Sequence, residues 1–484
     1  MAVALAFATP IEEAAAKQGY HEHVTEATAA RDAGEPIMAI VSIKTQHVTF
    51  YDADGWIVRA PVSTGVKGRE TPAGVFAVIE KDVDHHSTLY DDAWMPHMQR
   101  LTWNGIALHG GPLPGYAASH GCVRMPYGLA EKLFDQTRIG MRVIIAPNDA
   151  APTEISHPKL FEPNAQVISA APARAAARER EASEAASAAE ATKTATIKAE
   201  REASSRAASL KKLEAAKSRA DAELASADKS IAAAKTDEAK ARAEDTKAKA
   251  AAKADDAKKQ VDTAKADWQA SAEAATRASD AAKAAAAKNT EAAKAAKEAK
   301  LAMEPVSVYI SRATQKLSVR RNTHKPWADG GEVFDSSIEV PVAIRDPDKR
   351  IGTHIFTAMA QHNGALRWSA VSIDDGDDAK DALDRVTIPP DVLERIAQTA
   401  VARSSIVVSD EPLSSETNYR TEFVAVLSNQ PQGGFVTRKP TAPAQVARNK
   451  TWSDIPFGFA TDDDAEERSS RRRSREYTPW QGWR

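Results

Sequence analysis

The sequence contains a single cysteine, Cys122, among its 484 residues. One cysteine cannot close a disulfide within the chain, so no disulfide framework holds this fold. Aromatic residues make up only 6 % of the chain, which is low for a protein that is globular throughout and indicates a long non-globular stretch. Acidic and basic residues nearly balance, with a formal net charge of −3, so the composition gives no reason to expect a nucleic-acid partner.

Long apolar runs are also missing, because no stretch approaches the ~18 to 20 consecutive apolar residues of a membrane span. The N-terminal segment, residues 1–35, opens with apolar and small residues, as part of a signal peptide would, but lacks a positively charged start. We therefore expect export to the periplasm or cell envelope. A signal whose start lies upstream and an unstructured N-terminal arm are the interpretations left open.

Residues 36–150 are predicted to form a globular, strand-rich domain. Asp54 and Gly55 separate two apolar runs, and Asp-Gly in that position favours a hairpin. Residues 129–136 have the pattern of a short amphipathic helix, and residues 141–145 that of a closing strand.

Residues 165–303 consist mainly of Ala, Lys, Glu, Asp and Ser, with almost no Gly or Pro. Such residues favour helix, and a single straight helix of this length would reach on the order of 200 Å. Leu210, Leu224 and Ile231 fall on a heptad spacing, which is a weak coiled-coil seam. A solvated helical spacer and an oligomerising coiled coil both remain possible, and Pro305 ends the helix.

Residues 305–430 look like a second copy of residues 36–150. Phe76 corresponds to Phe356 and Trp103 to Trp368, with apolar strand segments matching on either side. After Trp368 the second copy has an acidic cluster where the first copy has histidines and a cysteine. It is therefore predicted to be a degenerate repeat that cannot run the same reaction, with chance similarity of two β-rich segments as the alternative.

The acidic cluster of the second copy lacks the spacing of a calcium loop, so a solvated loop is the favoured interpretation. Beyond it, residues 431–484 are rich in Pro, Gly, Ser and Arg and are predicted to be a disordered tail.

The residues that carry chemistry lie between positions 109 and 126. A thiol that attacks an amide must lose its proton to a nearby base, and His109 and His120 are both close in sequence to Cys122. Gly121 lets the backbone approach a substrate closely. Zinc is a weaker interpretation, because one cysteine and two histidines leave the fourth ligand unidentified.

This segment resembles a known family. Residues 119–124, Ser-His-Gly-Cys-Val-Arg, with the upstream Leu-His-Gly at 108–110, are similar to the signature of the L,D-transpeptidases, the YkuD-type catalytic domain. Residues 71–76 resemble the Thr-Pro-x-Gly-x-Phe segment of that family. The gap from His109 to Ser119 is shorter than in many members, which implies a tighter loop over the site. The resemblance implies a mainly β catalytic domain, a β-sandwich with a short helix.

The resemblance also implies catalytic roles. Cys122 would be the nucleophile and His109 its base, with the Gly110 carbonyl orienting the imidazole. His120 would tune the thiolate or hold the loop, or serve as a structural hydrogen-bonding residue. The N–H groups of Gly121 and Cys122 would form an oxyanion hole.

Four further residues are candidates for the substrate site. Arg124 would pair with a substrate carboxylate, for which a guanidinium fork is suited, although a structural ion pair is the alternative. Ser119 is a candidate contact that more readily fixes the turn. Tyr116 and Trp103 complete the set, and Trp103 could instead pack in the core.

The implied reaction has two steps and needs no metal or organic cofactor. Cys122 attacks the L-to-D bond of a peptidoglycan tetrapeptide stem, D-Ala leaves, and an amine takes the acyl group. The acceptor could be a second stem's diaminopimelate, an envelope protein or water, the last making an L,D-carboxypeptidase. A mainly structural envelope tether and an unrelated cysteine protease or acyltransferase also remain possible.

Overall fold

The computed structural model describes residues 26–87, 92–362 and 364–435. Most of the predicted N-terminal segment and most of the predicted tail lie outside these ranges. Within them, no helix is both long enough and apolar enough to cross a membrane.

The first β-rich region forms two sheets and one short helix. Its main sheet has the strand order β1-β4-β3-β2-β10-β5-β20, and the smaller sheet has the order β6-β7-β8-β9. The helix packs on β7 and β8, and the predicted hairpin is present where Asp52 pairs with Gly55. The elements are β1 (Ala27–Thr28), β2 (Met38–Ser42), β3 (His47–Asp52), β4 (Gly55–Pro61), β5 (Gly74–Ala77), β6 (Glu80–His86), β7 (Trp94–Arg100), β8 (Ala107–Gly110), β9 (Val123–Met125), α1 (Tyr127–Gln136) and β10 (Arg142–Ala146).

The Ala-rich region is a helical hairpin, not one straight rod. After β11 (Thr153–Ile155), α2 (Ala165–Ala233) and α3 (Asp237–Leu301) are separated by three residues. The break has a capping signal that composition alone does not reveal. The Thr236 hydroxyl accepts the Ala239 N–H at 3.2 Å, and acidic residues follow in the first turn of α3.

The two helices are antiparallel, as two ion pairs between them show. Glu223 pairs with Lys253 at 2.6 Å, near the turn, and Glu179 pairs with Lys300 at 2.6 Å, near the base. The predicted seam faces α3, since Leu210, Ala220 and Ala227 are buried. The seam is thus occupied by a helix of the same chain, and each helix is about 100 Å long at 1.5 Å per residue.

The second β-rich region repeats the strand order of the first. In both regions, one strand of a β-hairpin pairs with a neighbouring strand that is parallel to it. That neighbour pairs on its other side with an antiparallel strand. The remaining elements are β12 (Ser307–Ser311), β13 (Lys316–Pro326), β14 (Glu332–Pro341), β15 (Ala343–Ile344), β16 (Thr353–His362), β17 (Ala365–Ser372), α4 (Ala379–Arg385), β18 (Val386–Thr387), α5 (Pro390–Ala397), β19 (Ser405–Ser409), β20 (Ala425–Val426) and a 3₁₀ helix (Gly433–Phe435).

The repeat extends to single hydrogen bonds. Gln46 and Gln315 have positive φ angles of 51° and 52° at the same hairpin turn, a conformation uncommon for a non-glycine residue. Each side chain donates to the carbonyl three residues earlier, Ile43 or Arg312, at 2.7 Å. Chance similarity of two β-rich segments does not produce this correspondence.

The two copies share one apolar core through equivalent faces. Ile40 and Tyr309 occupy the same strand position in their copies, as do Ile144 and Val407, and all four lie in one buried cluster. This is the arrangement of an isologous dimer interface, here formed within one chain. The helical hairpin of α2 and α3 makes this interface possible, because its second helix brings the chain back to the first copy.

Each copy also completes the sheet of the other. β11, which follows the first copy, pairs with β17, and β20, near the end of the second copy, pairs with β5. The segment 410–435 therefore runs back over the first copy, and we call it the return strap. Its last described residues, 431–435, belong to the predicted tail and pack beside Gly121.

The acidic cluster of the second copy is only partly solvated. Asp375 and Asp378 are exposed, as the interpretation from sequence expected. The side chain of Asp377 is instead buried between Arg385 and Lys349, and Asp374 pairs with Arg350 at 2.6 Å. For these two residues the interpretation from sequence is wrong, because ion pairs with neighbouring basic residues hold them.

Candidate active site

Strand register brings Cys122 and His109 together. β8 and β9 are parallel, with Leu108 opposite Val123 and His109 opposite Arg124. Side chains alternate along a strand, so Cys122, immediately before β9, lies on the same sheet face as Arg124 and His109. The thiol and the imidazole are therefore diagonal neighbours on adjacent strands.

Both the backbone conformation and the close neighbours of residue 121 require a glycine at this position. Its φ is +123°, outside the range that residues with a Cβ readily adopt. An added Cβ would also lie 3.0 Å from Ile106 Cδ1 and 3.0 Å from Gly434 Cα of the return strap. The approach of the strap and the conformation of the Cys122 turn therefore both depend on this glycine.

His109 is buried and oriented by its neighbour. Its Nδ1 lies 2.9 Å from the Gly110 carbonyl oxygen, which can only accept, so Nδ1 carries the proton and Nε2 remains an acceptor. Burial lowers the pKa of His109 to about 4. The Gly110 hydrogen bond raises this pKa, and the charges of Arg124 and His85 lower it further. The imidazole is thus neutral near pH 7.

Cys122 is buried as well, and its thiol donates to the Gly105 carbonyl at 3.2 Å. Burial raises the pKa of Cys122 to about 11, opposed by the Ala107 backbone and by the charges of Arg100 and Arg124. The resting pair is consequently a neutral thiol and a neutral imidazole.

Ser119 and Thr71 hold the turn that contains Cys122. The Ser119 hydroxyl donates to the Cys122 carbonyl and accepts the Gly121 N–H at 3.2 Å. The Thr71 hydroxyl donates to the Gly121 carbonyl at 2.8 Å and accepts the Gly65 N–H at 2.8 Å. Ser119 is buried and engaged within the turn, which leaves it unsuited to the predicted substrate contact.

The predicted oxyanion hole, formed by the N–H groups of Gly121 and Cys122, stays a prediction. The resemblance assigns the Gly121 N–H to the substrate, yet this group donates to Ser119. The hydroxyl of a serine commonly accepts the N–H two residues further on, and this local bond competes with any external acceptor.

Arg124 lies on the same sheet face as Cys122 and His109, and its charge acts on both. Its side-chain carbons cover Gly111, where an added Cβ would lie 3.1 Å away. Within the described ranges, no carboxylate forms an ion pair with Arg124, so the structural ion pair considered from sequence is not formed with these residues.

Other predicted site residues lie at the rim or elsewhere. Tyr116 is 64 % exposed on the loop after β8, and His120 is also exposed, unlike Cys122 and His109. Trp103 contacts residues of the second copy: the Arg420 guanidinium stacks 3.6 Å from its ring, and Gly331 packs against its edge. The tryptophan is covered by the second copy, which no property of residues 36–150 alone could reveal.

Three contributors were not singled out from sequence. Thr71 belongs to the Thr-Pro-x-Gly-x-Phe segment, so a signal existed, but its role in holding Gly121 depends on the tertiary fold. Gly105 and Glu416 gave no signal, because one acts through its backbone carbonyl and the other lies 312 residues from its partner Asn104. Over the part of the chain that the structure describes, no group of three or more metal-ligating side chains could hold a metal ion.

Comparison with known proteins agrees with the resemblance drawn from the motif. The family model of the YkuD L,D-transpeptidase catalytic domain matches residues 36–145, so the expected resemblance and the mainly β fold are confirmed for this part of the chain. No curated protein matches the chain.

Solved structures that resemble it include an L,D-transpeptidase from Mycobacterium smegmatis, with 22 % identity, a TM-score of 0.22, and coverage of 23 % of this chain and 59 % of that one. Another, from Stackebrandtia nassauensis, has 24 % identity, a TM-score of 0.22, and coverage of 24 % and 58 %. A third, from Xylanimonas cellulosilytica, has 26 % identity, a TM-score of 0.21, and coverage of 24 % and 63 %. The chain thus spans less than two thirds of each.

Proposed function

We propose that this protein is a cysteine acyltransferase of the cell envelope that acts on peptidoglycan stem peptides, an L,D-transpeptidase. The observation that carries the proposal is the Cys122–His109 arrangement within the segment that matches the YkuD family model. The second copy has neither residue at the corresponding place, so all the chemistry is assigned to the first.

In the first step, Cys122 Sγ gives its proton to Nε2 of His109 and attacks the carbonyl carbon of the L-to-D bond before the terminal D-Ala. A carbon–sulfur bond forms, and the carbonyl oxygen becomes an oxyanion. When the carbon–nitrogen bond breaks, the imidazolium returns the proton to the departing amine of D-Ala. The product is a thioester on Cys122.

In the second step, an amine attacks the thioester and His109 takes its proton. The thiolate leaves and is reprotonated by the imidazolium, which restores the neutral pair. Diaminopimelate of another stem as acceptor gives a three-to-three crosslink, and an amine of an envelope protein gives anchoring. Water as acceptor makes the reaction a carboxypeptidase reaction.

Arg124 is assigned to the stem carboxylate. Its charge lies on the sheet face of the reactive pair and has no carboxylate partner among the described residues. A guanidinium binds carboxylate through two parallel hydrogen bonds, which would fix the orientation of the donor peptide.

The test is a product assay by mass spectrometry on a disaccharide tetrapeptide. The native protein is compared with Cys122→Ala, and His86→Gln, an exposed histidine on β6, serves as a matched control. Release of D-Ala with a crosslinked dimer, lost in Cys122→Ala alone, is expected.

Two further outcomes separate transpeptidation from carboxypeptidase activity and from a structural role. Tripeptide without dimer identifies a carboxypeptidase. No Cys122-dependent product from any stem peptide, and no covalent adduct with a carbapenem, would overturn the catalytic proposal and leave the tether.

A further inference from the structure

A cavity of about 100 Å³ lies where the two copies meet, away from Cys122. Arg142 contributes from the first copy, and Arg320, Arg321 and Thr357 from the second. Arg142 and Ser405 occupy equivalent first positions of β10 and β19, and they contact each other at 2.8 Å. The cavity therefore lies beside the axis that relates the copies.

An irregular strand supplies two neighbouring arginines to this cavity. Consecutive side chains of a regular strand point to opposite faces. The register of β13 against β14 shifts between Val319 and Arg321, and both Arg320 and Arg321 line the cavity. Irregularities of this kind re-aim side chains and recur at functional sites.

Among the described residues, these two arginines have only neutral hydrogen-bond partners. Arg320 donates to the Asn418 carbonyl at 2.9 Å, and Arg321 donates to the Thr399 hydroxyl at 3.0 Å. Across residues 26–87, 92–362 and 364–435, neither guanidinium forms an ion pair with a carboxylate. Burial lowers the pKa of Arg321 to about 10, which reflects the cost of holding this charge out of water.

The acidic groups at the cavity are already matched. Glu422 pairs with the buried Arg142 at 2.6 Å, and Glu304 pairs with His324 at 2.9 Å. Asp335, whose charge acts on both Arg320 and Arg321, pairs with Lys297 at 2.6 Å. Positive charge is therefore left over at this interface.

Several buried polar atoms around the cavity have no hydrogen-bond partner among the described residues: Arg142 Nε, Arg321 Nε, Thr357 Oγ1 and Glu422 Oε2. Buried polar groups are rarely left unsatisfied, so these four atoms indicate which hydrogen-bonding groups a bound ligand must have. The two guanidinium N–H groups need an acceptor, and the Glu422 oxygen needs a donor. An oxyanion that carries a proton supplies both.

We propose that this cavity binds a phosphate group and so links the two copies through a bound anion. Arginine forks match the geometry of phosphate oxygens, and phosphate keeps a proton near neutral pH that can be donated to Glu422. At about 30 Å³ for each water in the liquid, the cavity has room for only a few waters, which limits the group that enters to a small one. Free phosphate carries this proton near pH 7, and a phosphate monoester carries it in its singly charged form, which is the minor form at this pH.

The experiment measures thermal unfolding of the full chain during titration with inorganic phosphate, at constant ionic strength. Sulfate is the matched anion, since it has similar shape and charge but no proton near pH 7. We expect a saturable rise of the unfolding midpoint with phosphate and a smaller rise with sulfate. A tighter effect of glycerol 3-phosphate would identify a monoester as the ligand, and a weaker one free phosphate.

Arg321→Gln should weaken the apparent phosphate affinity at least tenfold without lowering the midpoint in phosphate-free buffer, because it also removes an unpaired charge. Arg345→Gln makes the same charge change at an exposed position and should leave the affinity unchanged. If Arg321→Gln fails to fold, Thr357→Val, which is isosteric, carries the test and should also weaken binding. Equal, non-saturating stabilisation by phosphate and sulfate in every variant would overturn the proposal.

Discussion

The Cys122 thiol donates its hydrogen bond to the Gly105 carbonyl, 3.2 Å away. Gly105 lies in the turn between β7 and β8, and in that turn the Asn104 N–H donates to the Glu416 carboxylate at 3.0 Å. Glu416 belongs to the return strap, which comes back from the second copy. The copy that lacks the reactive residues therefore holds the group that the resting thiol contacts.

Glu416→Ala should make Cys122 more reactive. A hydrogen bond donated by the thiol stabilises its neutral form, so a looser Gly105 turn should lower the pKa of Cys122. A neutral hydrogen bond contributes about 0.5–1.5 kcal/mol, which corresponds to a roughly two- to tenfold faster reaction. The measurement is the rate of iodoacetamide alkylation at pH 8, followed by mass spectrometry.

Glu339→Ala is the control for this variant, because Glu339 forms an exposed ion pair with Lys316 on the second copy. Its alkylation rate should match that of the native protein. An unchanged or slower rate in Glu416→Ala would mean that the strap does not hold the thiol in its resting state.

His109 should make folding stability depend on pH. Its pKa is lowered to about 4 in the folded protein from 6.5, so the unfolded chain binds more protons between these values. The contribution of His109 to the free energy of unfolding is complete above pH 6.5 and is lost as the pH falls toward 4. A shift of this size corresponds to on the order of 3 kcal/mol.

Urea unfolding at several pH values checks this expectation. His109→Gln should show a smaller loss of unfolding free energy between pH 6.5 and 4 than the native protein. His86→Gln, at an exposed position, should follow the native profile. Identical profiles for the native protein and His109→Gln would show that the imidazole titrates normally in the folded state.

Much of the reactive pair was predictable from sequence, because the Ser-His-Gly-Cys segment is contiguous and its residue types suit one reaction. The orientation of His109 by its own neighbour Gly110 is also local. The oxyanion donor at Gly121 and the substrate role of Trp103 stay predictions. The contacts of these residues with Ser119 and Arg420 depend on the tertiary fold, and residue types alone do not reveal them.

The fold divides in the same way. Strand patterns and the second copy were evident because matching apolar segments and turns recur along the chain. Composition also predicted helix for the Ala-rich region, since Ala, Lys and Glu have high intrinsic helix propensity. Composition does not show where the helix breaks, however, and the break before α3, capped by Thr236, makes a hairpin instead of a rod.

Thr71→Val should loosen the turn that carries the nucleophile. The variant keeps the side-chain shape but removes the donor to the Gly121 carbonyl and the acceptor of the Gly65 N–H. Leaving these buried groups unpaired costs about 1–3 kcal/mol each. We expect a lower urea midpoint and slower acylation by a carbapenem. Thr45→Val, at an exposed hydroxyl, should change neither, and equal loss in both variants would contradict a specific role for Thr71.

The helical hairpin predicts which residues can be crosslinked within one chain. In a Cys122→Ala background, Glu223→Cys with Lys253→Cys should react with a short bis-maleimide to give an intramolecular product, since the native side chains approach to 2.6 Å. Glu223→Cys with Lys283→Cys should not, because about thirty residues of helix separate position 283 from 253 by about 45 Å.

Mass spectrometry and denaturing gels distinguish the outcomes. A crosslinked monomer for the first pair alone, independent of protein concentration, is expected because α2 and α3 of one chain cover each other's apolar seam. Crosslinked dimers whose yield rises with concentration would instead mean that helices of different chains pair in solution. The two β-rich copies would then no longer be brought together by their own hairpin, and the shared core would have to form between chains.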